Sequence, residues 1–393
     1  MGRFSVLTLN SISAKGLSRL PAEMFSHSSH EAKPDAILLR SQDIHAIDIP
    51  TSVLAVGRAG AGTNNIPVAA LSARGVPVFN APGANANAVK ELVLTGLLMA
   101  VRNVGPAIRF VDGLTVDGAA LDKQVEDGKK HFAGVELSNH TLGVVGLGRI
   151  GSMVADAAIK LGMHVVGYDP EITVDAAWSL PSQVRKAHSV EELLRASDFV
   201  SLHVPQVAAT KHLINGERIA VMRHGAFLLN FSREAIVDVD AVVAGLQAKK
   251  LRAYVCDFPD ARLRGLPGAI ALPHLGASTR EAEDNCAVMV VDQMRDYLEH
   301  GNVRNAVNFP EAVMPRESPF RVGIANAYVP NMLGQISTAM ANAGLNIHNM
   351  LNKSRGDMAY TLVDVDSAVN DGVIRVLGEI AGVLSVRYLP AGN

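Results

Sequence analysis

The run Gly146-Leu147-Gly148-Arg149-Ile150-Gly151 constrains this chain more than any other stretch of it. A GxGxxG run alone is weak evidence. Here the apolar residues 141–145 precede it and an apolar-periodic segment, 150–161, follows. A second apolar run, 164–168, ends at Asp169, eighteen residues after Gly151. Strand, glycine turn, helix, strand and acid at this spacing form a dinucleotide-binding fingerprint. Gly146 permits the tight turn, Gly148 lets backbone approach a pyrophosphate, and Gly151 lets helix pack on strand. Arg149 and Ile150 open the helix, whose free N–H groups and positive dipole end suit phosphates. Asp169 would accept hydrogen bonds from ribose hydroxyls and repel a 2′-phosphate, which favours NAD over NADP.

The same grammar fills the first 280 residues. Runs 6–9, 36–39, 52–56, 76–80, 199–203, 226–230, 253–257 and 269–272 read as short buried strands, with helical patterns at 88–102, 190–195 and 239–249. Strands alternating with helices predict an α/β fold of parallel sheets. The strands are too many for one sheet, so two doubly wound sheets are expected, with a break near 102–113. Pro310, Pro315 and Pro319 then predict an extended linker over 308–320. Beyond it the order is strand, helix, two strands around the turn Arg355-Gly356-Asp357, helix, strand, a βαββαβ ferredoxin-like unit.

Composition narrows the partners. With 48% hydrophobic and 19% charged residues among 393, every part can bury a core. A formal charge of −2 offers no field for nucleic acid or anionic lipid, and neither is expected as a partner. Cys256 and Cys286 lack metal-ligand spacing, so no metal is expected and both read as reduced thiols. The start of the chain, with Gly2 and Arg3, reads as neither a myristoylation site nor a signal peptide. The longest apolar run, 92–101, is half of the roughly 20 residues a membrane span needs. A cytoplasmic protein is expected.

Ligands of open α/β sheets bind beyond the carboxyl ends of the strands. Three consecutive strands after the fingerprint end in polar residues: Phe231-Ser232-Arg233, Asp257-Phe258-Pro259-Asp260, and His274-Leu275-Gly276. Arginine, carboxylate and histidine at one sheet edge suit the oxidation of a small hydroxy acid. Arginine pairs with the substrate carboxylate. Histidine exchanges the hydroxyl proton. A carboxylate keeps the imidazole oriented.

At these residues the sequence resembles the D-isomer-specific 2-hydroxyacid dehydrogenases. The segments that carry the resemblance are VGRAGAGTNNI (56–66), NAPGANANAVKELVL (80–94), GVVGLGRIG (143–151), HVP (203–205), NFSREAIVD (230–238), DFPD (257–260) and PHLGAST (273–279). The resemblance covers nearly the whole chain and is closest to the branch that acts on 3-phospho-D-glycerate. The resemblance implies NAD-dependent oxidation of that small anionic substrate to 3-phosphooxypyruvate, the first step of phosphorylated L-serine synthesis. Two alternatives stay open: another hydroxy acid (glycerate, hydroxypyruvate, lactate or 2-hydroxyglutarate), or a non-catalytic NAD-sensing scaffold. It also implies a discontinuous substrate domain (1–100 and 285–307), an inserted NAD domain (101–284), the linker 308–320, and an ACT-like regulatory domain (321–393).

Carried over by position, Arg233 resembles the substrate-carboxylate arginine and His274 the acid/base. Asp257 resembles the aspartate at the nicotinamide carboxamide. His203, Val204, Pro205 and Gly276 join the cofactor set. Arg40, Ser41, Arg58, Gly60 and Asn85 match substrate-loop positions. The chain departs from the family at Glu234, where glycine is usual, and after Asp257, where the family's catalytic glutamate is absent. Asp260, the nearest remaining acid, is the first expectation for a substitute; alternatively Asp257 takes both roles, or His274 works without a close carboxylate. In the ACT-like unit, Tyr328 and Asn346 stand at effector positions, with L-serine the implied effector, or the unit is a purely structural dimerisation module. The other usual effector asparagine is replaced by Tyr328. The family implies a homodimer or homotetramer.

Overall fold

In a computed structural model that describes residues 4–391, three sheets organise the chain. Gly2 and Arg3 lie outside the described residues. Packing divides the chain into two units. One holds the residues up to Asn85 and those from Arg280 on; the other runs Ala86–Thr279.

In the first unit a parallel five-stranded sheet has the spatial order Phe25–Ser28, Phe4–Leu9, Ala36–Leu39, Ala55–Arg58, Val78–Phe79. The strand Phe25–Ser28 was not expected. It is polar apart from Phe25, as suits an edge strand with one inward residue. The 21-residue helix Arg280–His300 packs on this sheet. Its stripe Cys286, Val290, Met294, Tyr297 recurs at three and four residues, and all four are buried. Gly57 makes the close approach possible, because a Cβ there would collide with Met294. The helix stops at Gly301, whose φ of +74° suits a glycine just past a helix end.

The βαββαβ unit also belongs to this first body. Its antiparallel sheet has the order Ile347–Arg355, Met358–Val365, Phe320–Ala327, Val383–Pro390. Strand alternation splits its side chains between two faces. Val322, Ile324 and Val363 pack with Ile336 and Leu377 of the helices Met332–Asn342 and Asp371–Gly378. Ala325, Tyr360 and Leu362 join the core that contains Tyr297 and Phe309. The segment expected as an extended linker, 308–320, is packed against this body. Phe309, Ala312 and Met314 are buried, Val303 bridges Ala312, and the Asn308 side chain bonds to Val78 N and Val76 O. The prolines do exclude helix, but the apolar residues between them anchor the segment.

The second unit is a parallel seven-stranded sheet in the order Ala269–Ala271, Leu251–Cys256, Ala226–Asn230, Phe199–Leu202, Thr141–Val145, His164–Tyr168, Arg185–Lys186. Helices Ala86–Val101 and Arg149–Lys160 cover one face; Val190–Ala196, Gly216–Val221 and Val239–Gln247 cover the other. The expected boundaries at 100/101 and 284/285 move to 85/86 and 279/280. Gly96 explains the first shift: a Cβ there would sit 2.8 Å from Val255, so helix Ala86–Val101 is fitted to this sheet. Residues 102–113, expected as a break, hold the helix Val104–Asp112. No single helix among the described residues is long and apolar enough to cross a membrane.

Candidate active site

Strand Thr141–Val145 runs into Gly146, whose φ is +90°, and a Cβ there would lie 2.5 Å from the His203 carbonyl oxygen. At Gly151 a Cβ would collide with the Gly146 carbonyl. Gly148 differs. It caps the helix Arg149–Lys160 with no side-chain hydrogen bond, and a Cβ there would meet nothing within 4 Å. Open space thus lies before a helix end whose first N–H groups need acceptors. Asp169 closes the turn: Oδ2 accepts from Leu147 N at 2.8 Å and Oδ1 from Glu171 N at 3.0 Å. His203 donates its backbone N–H to the Val145 carbonyl at 2.7 Å, and its Nε2 lies 2.8 Å from Ser201 Oγ. Burial pushes this imidazole down to about 4, so it is neutral at physiological pH. The carbonyls of Val204 and Pro205 accept from the hydroxyls of Ser232 and Thr210.

Three neighbouring strands deliver the reactive residues. Asn230, fully buried, donates from Nδ2 to the Arg233 carbonyl at 2.9 Å and accepts from Ser232 N at 3.2 Å. It thereby shapes the loop that presents Arg233, an exposed residue whose Nη1 donates to the Ser232 carbonyl at 2.7 Å. Asp257 is 1% exposed. Its Oδ2 accepts from Gly276 N at 3.2 Å and its carbonyl from His274 N at 3.0 Å. Its Oδ1 is buried without a partner among the described residues. Burial raises the Asp257 pKa, and the charges of His274 and Arg233 oppose the rise. The His274 ring meets Phe258 edge-on, centroids 5.2 Å apart.

Asp260 is held by its own neighbours. Both its oxygens are bound by the Arg262 guanidinium, at 3.0 and 2.6 Å, and Oδ1 also accepts from Arg262 N at 2.8 Å. These bonds hold its carboxyl at about 2. Arg262 reaches Asp240 as well, at 2.6 Å. The short side chain caps the turn Ala261–Leu263 in its own chain, as aspartates do. Among the described residues it makes no hydrogen bond to His274. No carboxylate is hydrogen-bonded to that imidazole among the described residues; Asp257 is the acid whose field meets it.

The substrate-loop candidates lie in the first unit. Arg40 pairs with Glu283 at 2.6 Å. Its carbonyl accepts from Arg58 Nε at 3.0 Å, and Arg58 Nη1 donates to the Gly62 carbonyl at 2.6 Å. Gly60 leaves room for that guanidinium. Ser41 N donates to Asn10 Oδ1 at 3.2 Å, and Asn85 is half-buried just before the helix Ala86–Val101. The effector candidates separate. Tyr328 lines a cavity of about 530 Å³ with Asn326 and Asn352, whereas Asn346 does not line it and donates to Asp366 at 2.7 Å. Sequence reasoning missed Asn326, whose Oδ1 is buried without a partner among the described residues. A lone amide in the apolar strand FRVGIANA was the available signal.

Residues 96–276 match the family described as D-isomer specific 2-hydroxyacid dehydrogenase, NAD binding domain. The chain is 34% identical over 355 residues to the D-3-phosphoglycerate dehydrogenase of Haemophilus influenzae, covering 87% of this chain and 83% of that one. The chain belongs to the D-isomer-specific 2-hydroxyacid dehydrogenases. The Escherichia coli K12 D-3-phosphoglycerate dehydrogenase is 30% identical over 356 residues, with the same coverage of 87% and 83%. Among solved structures, the TT0316 protein of Thermus thermophilus is similar at a TM-score of 0.63 and 28% identity, covering 77% of this chain and 100% of that one. A D-2-hydroxyisocaproate dehydrogenase, at 0.64 and 22%, covering 78% and 100%, shares the fold.

This dehydrogenase is an NAD-dependent oxidoreductase, and its residues fit the cofactor. The open space at Gly148 admits a pyrophosphate to the helix end. The unpartnered Asp257 Oδ1 offers an acceptor for a carboxamide N–H. Asp169 stands at the end of the second strand, where ribose is read.

Proposed function

We propose that the enzyme oxidises 3-phospho-D-glycerate to 3-phosphooxypyruvate, the first step of phosphorylated L-serine synthesis. The observation that carries the reading is the meeting of Arg233, buried Asp257 and His274 at one sheet edge, in a chain 34% identical to a D-3-phosphoglycerate dehydrogenase. Arg233 pairs with the substrate carboxylate and fixes the C2 carbon. His274 takes the C2 hydroxyl proton as general base. NAD, when bound, accepts the C2 hydrogen with its electron pair. Asp257 orients the cofactor through Oδ1, and its carbonyl, accepting from His274 N, fixes the loop that carries the imidazole. Asp260 has no part in the chemistry. Arg40 and Arg58 are assigned to the substrate phosphate, which needs cations.

Three further assignments accompany this reading. The cavity beside Asn326 and Tyr328 takes L-serine, whose polar groups match the unpaired Asn326 carbonyl oxygen. The helix Val104–Asp112 buries none of its residues and exposes Val104, Ile108 and Val111 on one stripe; a second copy of the chain covers it, since two-fold dimers are the commonest oligomers. The enzyme works in the cytoplasm, where the unpaired buried thiols of Cys256 and Cys286 persist. Initial rates of NADH formation with 3-phosphoglycerate, with and without L-serine, test the substrate and the effector. NAD binding without turnover on any hydroxy acid overturns the catalytic reading in favour of a scaffold.

A further inference from the structure

We propose that Arg387 and Arg321 are positioning residues for substrate binding, acting from the antiparallel sheet through the helix Arg280–His300 on Arg40 and Arg58. The proposal rests on the assignment of those two arginines to the substrate.

The C-terminal end of that helix is held from outside. Arg387 donates to the carbonyls of Tyr297 and Leu298 at 3.1 and 3.0 Å, and its guanidinium stacks on the Tyr297 ring at 4.6 Å. Arg321 donates to the His300 carbonyl at 3.2 Å and to those of Met314 and Pro315, both at 2.9 Å. Two cations thus meet the terminal carbonyls, where the helix dipole favours positive charge. Arg321 is itself fixed by Asp364 through a bidentate pair at 2.6 and 2.9 Å, with both side chains fully buried.

The other end of the helix holds the candidate substrate arginines. Glu283 pairs with Arg40, and Asp284 accepts from Ser13 Oγ at 2.5 Å and pairs with Lys15 at 2.6 Å. Val290 and Met294 press on Gly57, next to Arg58. The charges of Arg58 and Arg40 both reach Cys286. Twenty-one residues make a rod of about 30 Å. It shares one core with both sheets, including Phe79, Tyr297 and Tyr360. Close-packed interiors transmit displacement rather than absorb it. Loosening the helix end at Arg387 or Arg321 is therefore carried to Arg40 along the helix.

The test uses the full chain with Arg387→Met, Arg387→Lys and the paired replacement Arg321→Met with Asp364→Leu. The paired change leaves no buried charge without its counter-charge. Kinetics and hydrogen exchange are read together. The proposal expects a several-fold rise in the KM for 3-phosphoglycerate in Arg387→Met, an unchanged KM for NAD, and a smaller rise in Arg387→Lys. It expects faster exchange at residues 283–286 and 40–41 as well as at 297–301. Exchange changes confined to 297–301, with a wild-type KM, overturn it. If wild-type enzyme does not turn over 3-phosphoglycerate, the substrate assignment fails on its own, and exchange at 283–286 decides the coupling.

Discussion

Gly148→Ala separates cofactor binding from folding. The new methyl group meets nothing within 4 Å in the protein, and the residue's φ is −67°, which alanine adopts freely. The fold should therefore be unaffected, and the melting temperature should stay within about 2 °C of wild type, as for an exposed substitution. The methyl occupies the space through which a pyrophosphate reaches the helix end. Losing one charge-assisted hydrogen bond costs about 1.5–3 kcal/mol, a roughly ten- to hundred-fold loss of NAD affinity. Gly151→Ala is the contrast, because its methyl collides with the Gly146 carbonyl and should destabilise by about 1–3 kcal/mol. Calorimetric NAD titration and thermal melts of both variants read the two effects. A Gly148→Ala enzyme that binds NAD like wild type would refute the placement of the pyrophosphate.

Other predictions concern the sheet edge and the proposed dimer face. His274→Asn should lower kcat by about 10²- to 10⁴-fold while NAD titration stays unchanged. Asp257→Asn should raise the KM for NAD but also raise the melting temperature. Burial lifts the Asp257 pKa above its unfolded value, so the ionised carboxylate costs stability as pH rises above about 4, and that cost disappears in the amide. Melts at pH 8 and below pH 4 should show the gain only at the higher pH. Asp260→Asn should leave kcat/KM within about twofold of wild type and the pH–rate profile unmoved. Its folded pKa of about 2 means that the Arg262 pair stabilises fully above the usual carboxylate range and fades as pH falls through 2, so melts of this variant should fall below wild type only above that range. Ile108→Asp should convert the proposed dimer to monomers by light scattering, leaving the melt of the fold in place.

The fingerprint, the three strand ends and the βαββαβ order were legible because each is local. A glycine at +90°, a polar residue after an apolar run and a 3.6-residue stripe are all written within a dozen residues. What was not legible depends on which surface a segment meets. The apolar residues of Ala86–Val101 specify a helix but not which sheet it covers, and only the fit of Gly96 against Val255 assigns it. Phe309, Ala312 and Met314 lie among prolines and read as a linker, because nothing local announces the core they enter. Asp260 had the right charge and the right neighbourhood, yet a nearby guanidinium and a free backbone N–H claimed it first.

The central claim is that this sheet edge oxidises 3-phosphoglycerate without a glutamate beside His274. Initial rates of NADH formation at alkaline pH, with 3-phosphoglycerate against D-glycerate, D-lactate and 2-hydroxyglutarate, test it most directly. Turnover should favour 3-phosphoglycerate by its kcat/KM and be lost in His274→Asn. NAD binding with no turnover on any of the four contradicts it.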